Sequence, residues 1–350
     1  MHSQAANNVR AHQATCPRRA GVVVARGMNK RHHTTTLRLL VQCFFAGLCI
    51  AAGWRFLAFL DWAGGAGGAP IPRPAGVEGF LPLAALIGFK HLLLTGGYDP
   101  VHPAGLTILF AALATAWVCR KGFCGFLCPV GLASDRLGAL GKRLGLARSL
   151  PRSLDRVLGS IKYLLLAFFL VSIFILMDPA ATEQFLNSAY NRTADARLLG
   201  LFLHPSGTFL AVVCALGVAG LVFRNALCRW LCPYGALLGL AALSGPLAIR
   251  HEAEACRKCG RCRKACPYDI PVGQAAGSPV CVACGQCLEA CPQKNVLRLR
   301  FFGKAIPWQL AVVGSVLVFA SLCLALGSLC GWTAALPPAM ARMLYAALPG

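Results

Sequence analysis

Five apolar runs, near residues 37–60, 104–119, 161–177, 206–223 and 306–330, constrain this chain more than any other feature. Each approaches the length a helix needs to cross a hydrocarbon layer, with tilt and flanking anchors accommodating the shorter ones. In lipid every backbone N–H and C=O must be satisfied internally, so runs of this kind fold as helices. With 57% hydrophobic and only 13% charged residues, the chain is too apolar for an ordinary soluble protein. The expected fold class is an α-helical polytopic membrane protein of about five spans. A further apolar stretch, 80–95 (FLPLAALIGFKHLLLT), is short, has Pro82 near its start and carries Lys90 and His91 towards its end. It is expected to be a re-entrant or interfacial helix.

The formal net charge of +22 does not indicate a nucleic-acid partner, because the basic residues sit in short loops between apolar runs. There they set orientation. With the N-terminus cytoplasmic, 28 of the 34 Lys and Arg residues fall inside, in 1–38, Arg120/Lys121, 133–162, Arg224/Arg229 and 250–304. The opposite loops, 61–79 and 178–205, hold only Arg73, Arg192 and Arg197. The expectation is a multi-pass protein of the inner (cytoplasmic) membrane. Residues 1–36 read as a disordered basic cytoplasmic arm, with Met28 as a second candidate start and a signal peptide over 28–52 as the rival account. Residues 37–249 form the membrane domain, 250–304 an insert, and 305–350 the last span and tail.

Nineteen cysteines exceed what packing needs. Residues 256–267, CRKCGRCRKACP, and 281–292, CVACGQCLEACP, are two copies of C-x2-C-x2-C-x3-C-P, the two-cluster bacterial ferredoxin pattern. Three cysteines on one tight turn grip three corners of a cubane, and the fourth reaches the neighbouring cluster. One [4Fe-4S] cluster is therefore assigned to Cys256, Cys259, Cys262 and Cys291, and the other to Cys281, Cys284, Cys287 and Cys266. Zinc knuckles are the competing account, but they leave eight cysteines and two matched prolines unexplained. The insert is expected to be a small α+β dicluster ferredoxin module on the cytoplasmic, reducing side.

A second pattern occurs twice. KGFCGFLCPVGL at 121–132 and NALCRWLCPYGALLG at 225–239 share C-x-x-x-C-P-x-G at the end of an apolar run. His102-Pro103-Ala104-Gly105 and His204-Pro205-Ser206-Gly207 each open such a run, which implies a two-fold internal repeat over about 80–135 and 161–240. If 225–232 is helical, Cys228 and Cys232 lie one turn apart on one face. Cys124, Cys128, Cys228 and Cys232 are then expected to converge on one further iron–sulfur cluster, with packing thiols as the alternative.

The combination of these motifs resembles the NapH/NosR-type membrane polyferredoxins, ferredoxin-type integral membrane proteins often described as quinol dehydrogenases. The resemblance covers roughly 37–300, beginning with RLLVQCFFAG at 38–47 and including FCGFLCPVG and LCRWLCPYGALLG. It implies electron transfer between the membrane quinone pool and a reductase system or maturation pathway, with bound quinone, lipids and other redox proteins (a reductase, flavoprotein or cytochrome) as partners. The apolar run at 306–330 departs from the family pattern, and no flavin-bearing extracytoplasmic domain is expected within these residues, so the acceptor stays open.

His102 and His204 are candidates for a quinone or proton site at the outer ends of their spans; helix starts with proline in the first turn are the competing account. Lys90 and Lys162 are expected to snorkel to the two surfaces. Asp99 and Asp178, each before a proline, read as proton carriers or turns. Cys43, Cys49, Cys119, Cys214 and Cys323 read as packing residues, and Cys16 and Cys330 carry no assignment. No C-x-x-C-H haem motif, P-loop or dinucleotide fingerprint occurs. Two function classes remain: a redox carrier, and a protein whose membrane thiolates bind copper for reduction or metallocentre maturation.

Overall fold

The computed structural model describes residues 24–65, 67–271, 273, 277–293, 295–332 and 337–346, with side chains from residue 36 onward. Cys16 lies outside the described residues.

Helices form at all five expected positions, but they are not equivalent. Three are long and apolar enough to cross a membrane. These are Thr36–Ala63 within helix α1 (Val24–Ala63), Arg152–Leu176, made of α5 (Arg152–Val171) and a π turn (Ser172–Leu176), and α13 (Gln309–Cys330). Their surfaces carry exposed Leu40, Phe44, Ile50, Leu164, Phe168, Leu317 and Leu324, the side chains a lipid-facing helix presents. This is a membrane protein. Helix α1 begins at Val24, so the last thirteen residues of the expected disordered arm continue the first span as helix.

The run at 104–119 is different. It forms α3 (Pro103–Cys119), 17 residues long, which at the usual rise is about 25 Å. Pro103 starts the helix, and Arg120 and Lys121 end it with left-handed backbones, φ 49° and 53°. Ala104, Leu106, Ala111, Ala112 and Ala116 are fully buried, because α2 (Pro82–Thr95) and α13 pack along α3. A helix packed largely against protein reads in sequence like one buried in lipid. The run at 206–223 also falls short. Helices α8 (Ala194–Leu203) and α9 (Gly207–Val222) meet at a 78° bend, a broken span or a re-entrant turn. Pro205, at the break, denies the continuing helix its N–H.

Between the spans lie the amphipathic α4 (Pro129–Arg143), α6 (Pro179–Asn187) and α7 (Ala189–Arg192), and the apolar α10 (Pro233–Ala241). The insert is closed by a small antiparallel sheet. Strand β1 (Leu247–His251) pairs with β2 (Leu297–Phe301) from Leu247↔Phe301 to His251↔Leu297, and β2 pairs with β3 (Lys304–Ala305). The pairing begins at Leu247, three residues before the expected start of the module. Helices α11 (Arg261–Ala265) and α12 (Gln286–Ala290) pack on each other inside the loop so closed, and α14 (Pro338–Ala346) returns against α1.

Candidate iron–sulfur relay

The two ferredoxin motifs adopt the same backbone. Lys258 and Ala283, each just before the second cysteine of its motif, have φ 54° and 50°; Gly260 and Gly285, just after it, have φ 71° and 76°. These left-handed residues wrap the first three cysteines of each motif around one point and aim backbone N–H groups at sulfur. The Lys258 amide donates to Cys256 Sγ at 3.4 Å. The fourth cysteines, Cys266 and Cys291, are extended (ψ 122° and 119°), as a following proline requires. Cys266, Cys281, Cys284 and Cys287 line one small apolar cavity with Ile249, Tyr268, Ile270 and Val282. Cys262 has Cys259 and Cys291 as electrostatic neighbours. The residues fit two clusters with exchanged fourth ligands. Burial pushes the Cys284 thiol up to about 12, so taking up a metal there releases protons.

The C-x-x-x-C-P-x-G segments are not α-helical, the condition on which a one-turn spacing of Cys228 and Cys232 depended. Each is a π turn, Phe123–Leu127 or Leu227–Leu231, in which the second cysteine's N–H reaches back five residues. Cys128 N donates to Phe123 O and Cys232 N to Leu227 O, both at 2.9 Å. The left-handed Lys121 and Asn225 stand at equivalent positions before them. The wider turn still keeps the two thiols of each motif on one side. Proline then starts the next helix, leaving Cys128 and Cys232 as the residues capping α4 and α10. The motif's glycine donates its N–H to that cap: Gly235 N lies 3.2 Å from Cys232 Sγ, and Gly131 N is directed at Cys128.

The structure brings the two motifs together. Cys124 has Cys232 in its electrostatic field, Cys128 has Cys124 and Cys228, and Cys228 has both Cys232 and Cys124. Burial, reinforced by these neighbours, pushes Cys228 up to about 12. Among the described residues, no three His, Cys, Asp or Glu side chains converge on a site for one metal ion.

Sequence reading missed how the membrane motifs dock the ferredoxin module. Gly125, between the cysteines of the first motif, packs on Val282, between the first two cysteines of the second ferredoxin motif; a Cβ at Gly125 would stand 3.0 Å from the Val282 carbonyl oxygen. Arg120 and Arg224, each four residues before a motif's first cysteine, donate to module carbonyls: Arg120 to Ser278 O at 3.0 Å, Arg224 to Cys266 O at 3.1 Å. Trp308 Nε1 donates to Ala283 O at 3.0 Å while its ring meets Phe126 edge-on, centroids 6.1 Å apart. Beneath them, buried Asp135 accepts from Arg38, Gln42 and Asn225, and Asn225 also reaches Pro267 O at 3.3 Å. The pattern of Arg at four residues before each motif was visible in sequence; the Asp135 hub carried no signal there.

The histidines do not form an equivalent pair. His102 is fully buried. Its Nε2 donates to Asn191 O at 2.8 Å and its Nδ1 lies 3.1 Å from Arg73, which also pairs with Glu78 and Asp195 at 3.3 and 2.6 Å. Both ring nitrogens are thus engaged within the protein. His204 is exposed at the α8–α9 bend, and Ser206 caps α9 instead. Neither lysine snorkels. Lys90 Nζ donates to Ile173 O and Met177 O, carbonyls at the π turn ending the second span, and Lys162 is 1% exposed. Asp99 and Asp178 serve turns, accepting from Val101 and His102, and from Ala181, respectively.

Residues 101–147 and 204–248 each match a family described as a 4Fe-4S binding domain, so the matched segments contain the two C-x-x-x-C-P motifs. The putative electron transport protein YccM of Escherichia coli is 44% identical over 203 residues, 58% of this chain and 57% of that one. The methylamine utilization ferredoxin-type protein MauN of Methylorubrum extorquens is 30% identical over 269 residues, 74% of this chain and 85% of MauN. The chain belongs to the NapH/NosR-type membrane polyferredoxins. The regulatory protein NosR of Pseudomonas aeruginosa, another relative of this polyferredoxin, is 31% identical over 199 residues, 54% of the chain but 26% of NosR. The chain therefore spans just over half of YccM and about a quarter of NosR. No solved structure matches. The family is one of iron–sulfur electron-transport proteins.

Proposed function

We propose that the polyferredoxin carries electrons between the quinone pool, or an extracytoplasmic redox partner, and a soluble redox protein on the cytoplasmic side of the inner membrane. Cys124, Cys128, Cys228 and Cys232 hold the membrane-proximal cluster. Cys266, Cys281, Cys284 and Cys287 hold the next, and Cys256, Cys259, Cys262 and Cys291 the outermost. The clusters supply one-electron chemistry, while the protein sets their spacing and excludes water.

The observation that carries this reading is the seating of Val282 on Gly125, which stacks one cluster turn on the π turn of the first membrane motif. Electron transfer needs such close approach of carriers. Both repeat arginines bind the part of the module that carries Cys266 and the approach to Cys281, the near side of the relay. Cys259 is exposed, which suits the outermost cluster to exchange with a partner. The Arg257, Lys258, Arg261 and Lys264 side chains around it favour an acidic partner.

Iron and acid-labile sulfide analysis of the anaerobically purified protein, with electron paramagnetic resonance during quinol addition, tests the reading. Three clusters, reduced by quinol, are expected. Two clusters with copper bound to the membrane motifs would replace the relay with thiolate-dependent copper handling.

A further inference from the structure

The Lys162 side chain is 1% exposed, and its ammonium has no hydrogen-bond partner among the described residues. A buried charge of this kind is costly unless something nearby balances it. Asp155, on the same helix, is already used: it accepts from Arg229 through one oxygen and from Trp230 Nε1 through the other, at 2.9 Å. The Tyr163 ring lies 5.0 Å from Lys162 Nζ and supplies only a weak cation–π contact. The remaining electrostatic neighbours of the ammonium are Lys121, itself buried, Arg229, already paired with Asp155, and the thiols of Cys232 and Cys124, one from each membrane motif. Two buried lysines and one cysteine from each membrane motif therefore share one region, and no carboxylate is among the electrostatic neighbours of Lys162.

We infer that Lys162 is the charge-balancing residue of the membrane-proximal site, holding its ammonium against an anionic thiolate-ligated cluster and stabilising the reduced state. This rests on the assignment of a cluster to Cys124, Cys128, Cys228 and Cys232. A cubane on four thiolates is a dianion when oxidised and a trianion after accepting one electron from quinol or another donor. A fixed ammonium in a low-dielectric surrounding attracts the more negative form more strongly, so it raises the reduction potential. Lys162 lies on a candidate membrane span (Arg152–Leu176) and is buried within the protein, where water does not reach the ammonium. Lys121 stands three residues before Cys124 and Lys162 on the candidate span Arg152–Leu176, so the two lysines come from separate elements.

The test is a redox titration, followed by electron paramagnetic resonance, of wild type, Lys162→Met and Lys162→Arg, each with iron and sulfide analysis. The signals of the two ferredoxin clusters report folding in each variant. Lys162→Met is expected to disfavour reduction of the third cluster at least tenfold, about 59 mV for a one-electron couple, with the ferredoxin clusters unmoved; Lys162→Arg is expected to stay near wild type. Loss of the third cluster from Lys162→Met but not Lys162→Arg would likewise support the role of charge. An unchanged third-cluster potential in Lys162→Met, or loss of that cluster from both variants, overturns the inference. Absence of a third cluster from wild type defeats the underlying assignment instead.

Discussion

Gly125 and Val282 are in direct contact although 157 positions separate them, and the contact joins the first membrane motif to the second ferredoxin motif. A Cβ at 125 would stand 3.0 Å from the Val282 carbonyl oxygen, so a large side chain there crowds the contact. Gly125→Leu is therefore expected to slow electron passage from the membrane side to the ferredoxin clusters at least tenfold. Those clusters keep their iron. Stopped-flow reduction by quinol, compared with reduction by dithionite, separates a transfer defect from loss of cofactor.

The twin arginines hold the same module from two sides. A charged hydrogen bond to a carbonyl contributes about 1.5–3 kcal/mol, so Arg224→Ala should loosen the loop around Lys264 and Cys266, and Arg120→Ala the loop around Ser278. Hydrogen exchange resolved by peptide should show each effect locally. Uniform loosening of the whole insert by either variant would contradict separate clamps.

Cys266→Ser tests the exchanged fourth ligand. Cys266 shares its cavity with Cys281, Cys284 and Cys287. The substitution should alter the resonance signal of that cluster and leave the one on Cys256, Cys259 and Cys262 intact. The reverse pattern would mean that each motif ligates its own cluster.

Asp135 and Arg38 form a buried pair, their side chains 6% and 4% exposed. Removing one member of such a pair costs about 3–5 kcal/mol, whereas replacing both by apolar groups is close to neutral. Asp135→Leu should lower thermal stability in detergent sharply. Combining it with Arg38→Met should recover most of the loss, short of the hydrogen bonds Asp135 makes with Gln42 and Asn225.

What the sequence by itself determined is local. Five apolar runs named the helices, eight cysteines at ferredoxin spacing named the cluster turns, and C-P-x-G forced an extended cysteine capping the next helix. All of these follow from the chemistry of a few adjacent residues: apolar length, thiol spacing, and proline acting on the residue before it. Tertiary structure decided the rest. Whether the 104–119 run meets lipid or protein depends on α2 and α13, which pack along it, and hydropathy cannot distinguish two apolar surroundings. His102 and His204 share a motif, yet one is sealed by Arg73 and Asn191 while the other is exposed at a bend. Lys90 and Lys162 look free to snorkel until the carbonyls of a π turn and the cysteines of two distant motifs are seen around them. The partners of a buried charge come from remote parts of the chain, and only the folded packing brings them to it.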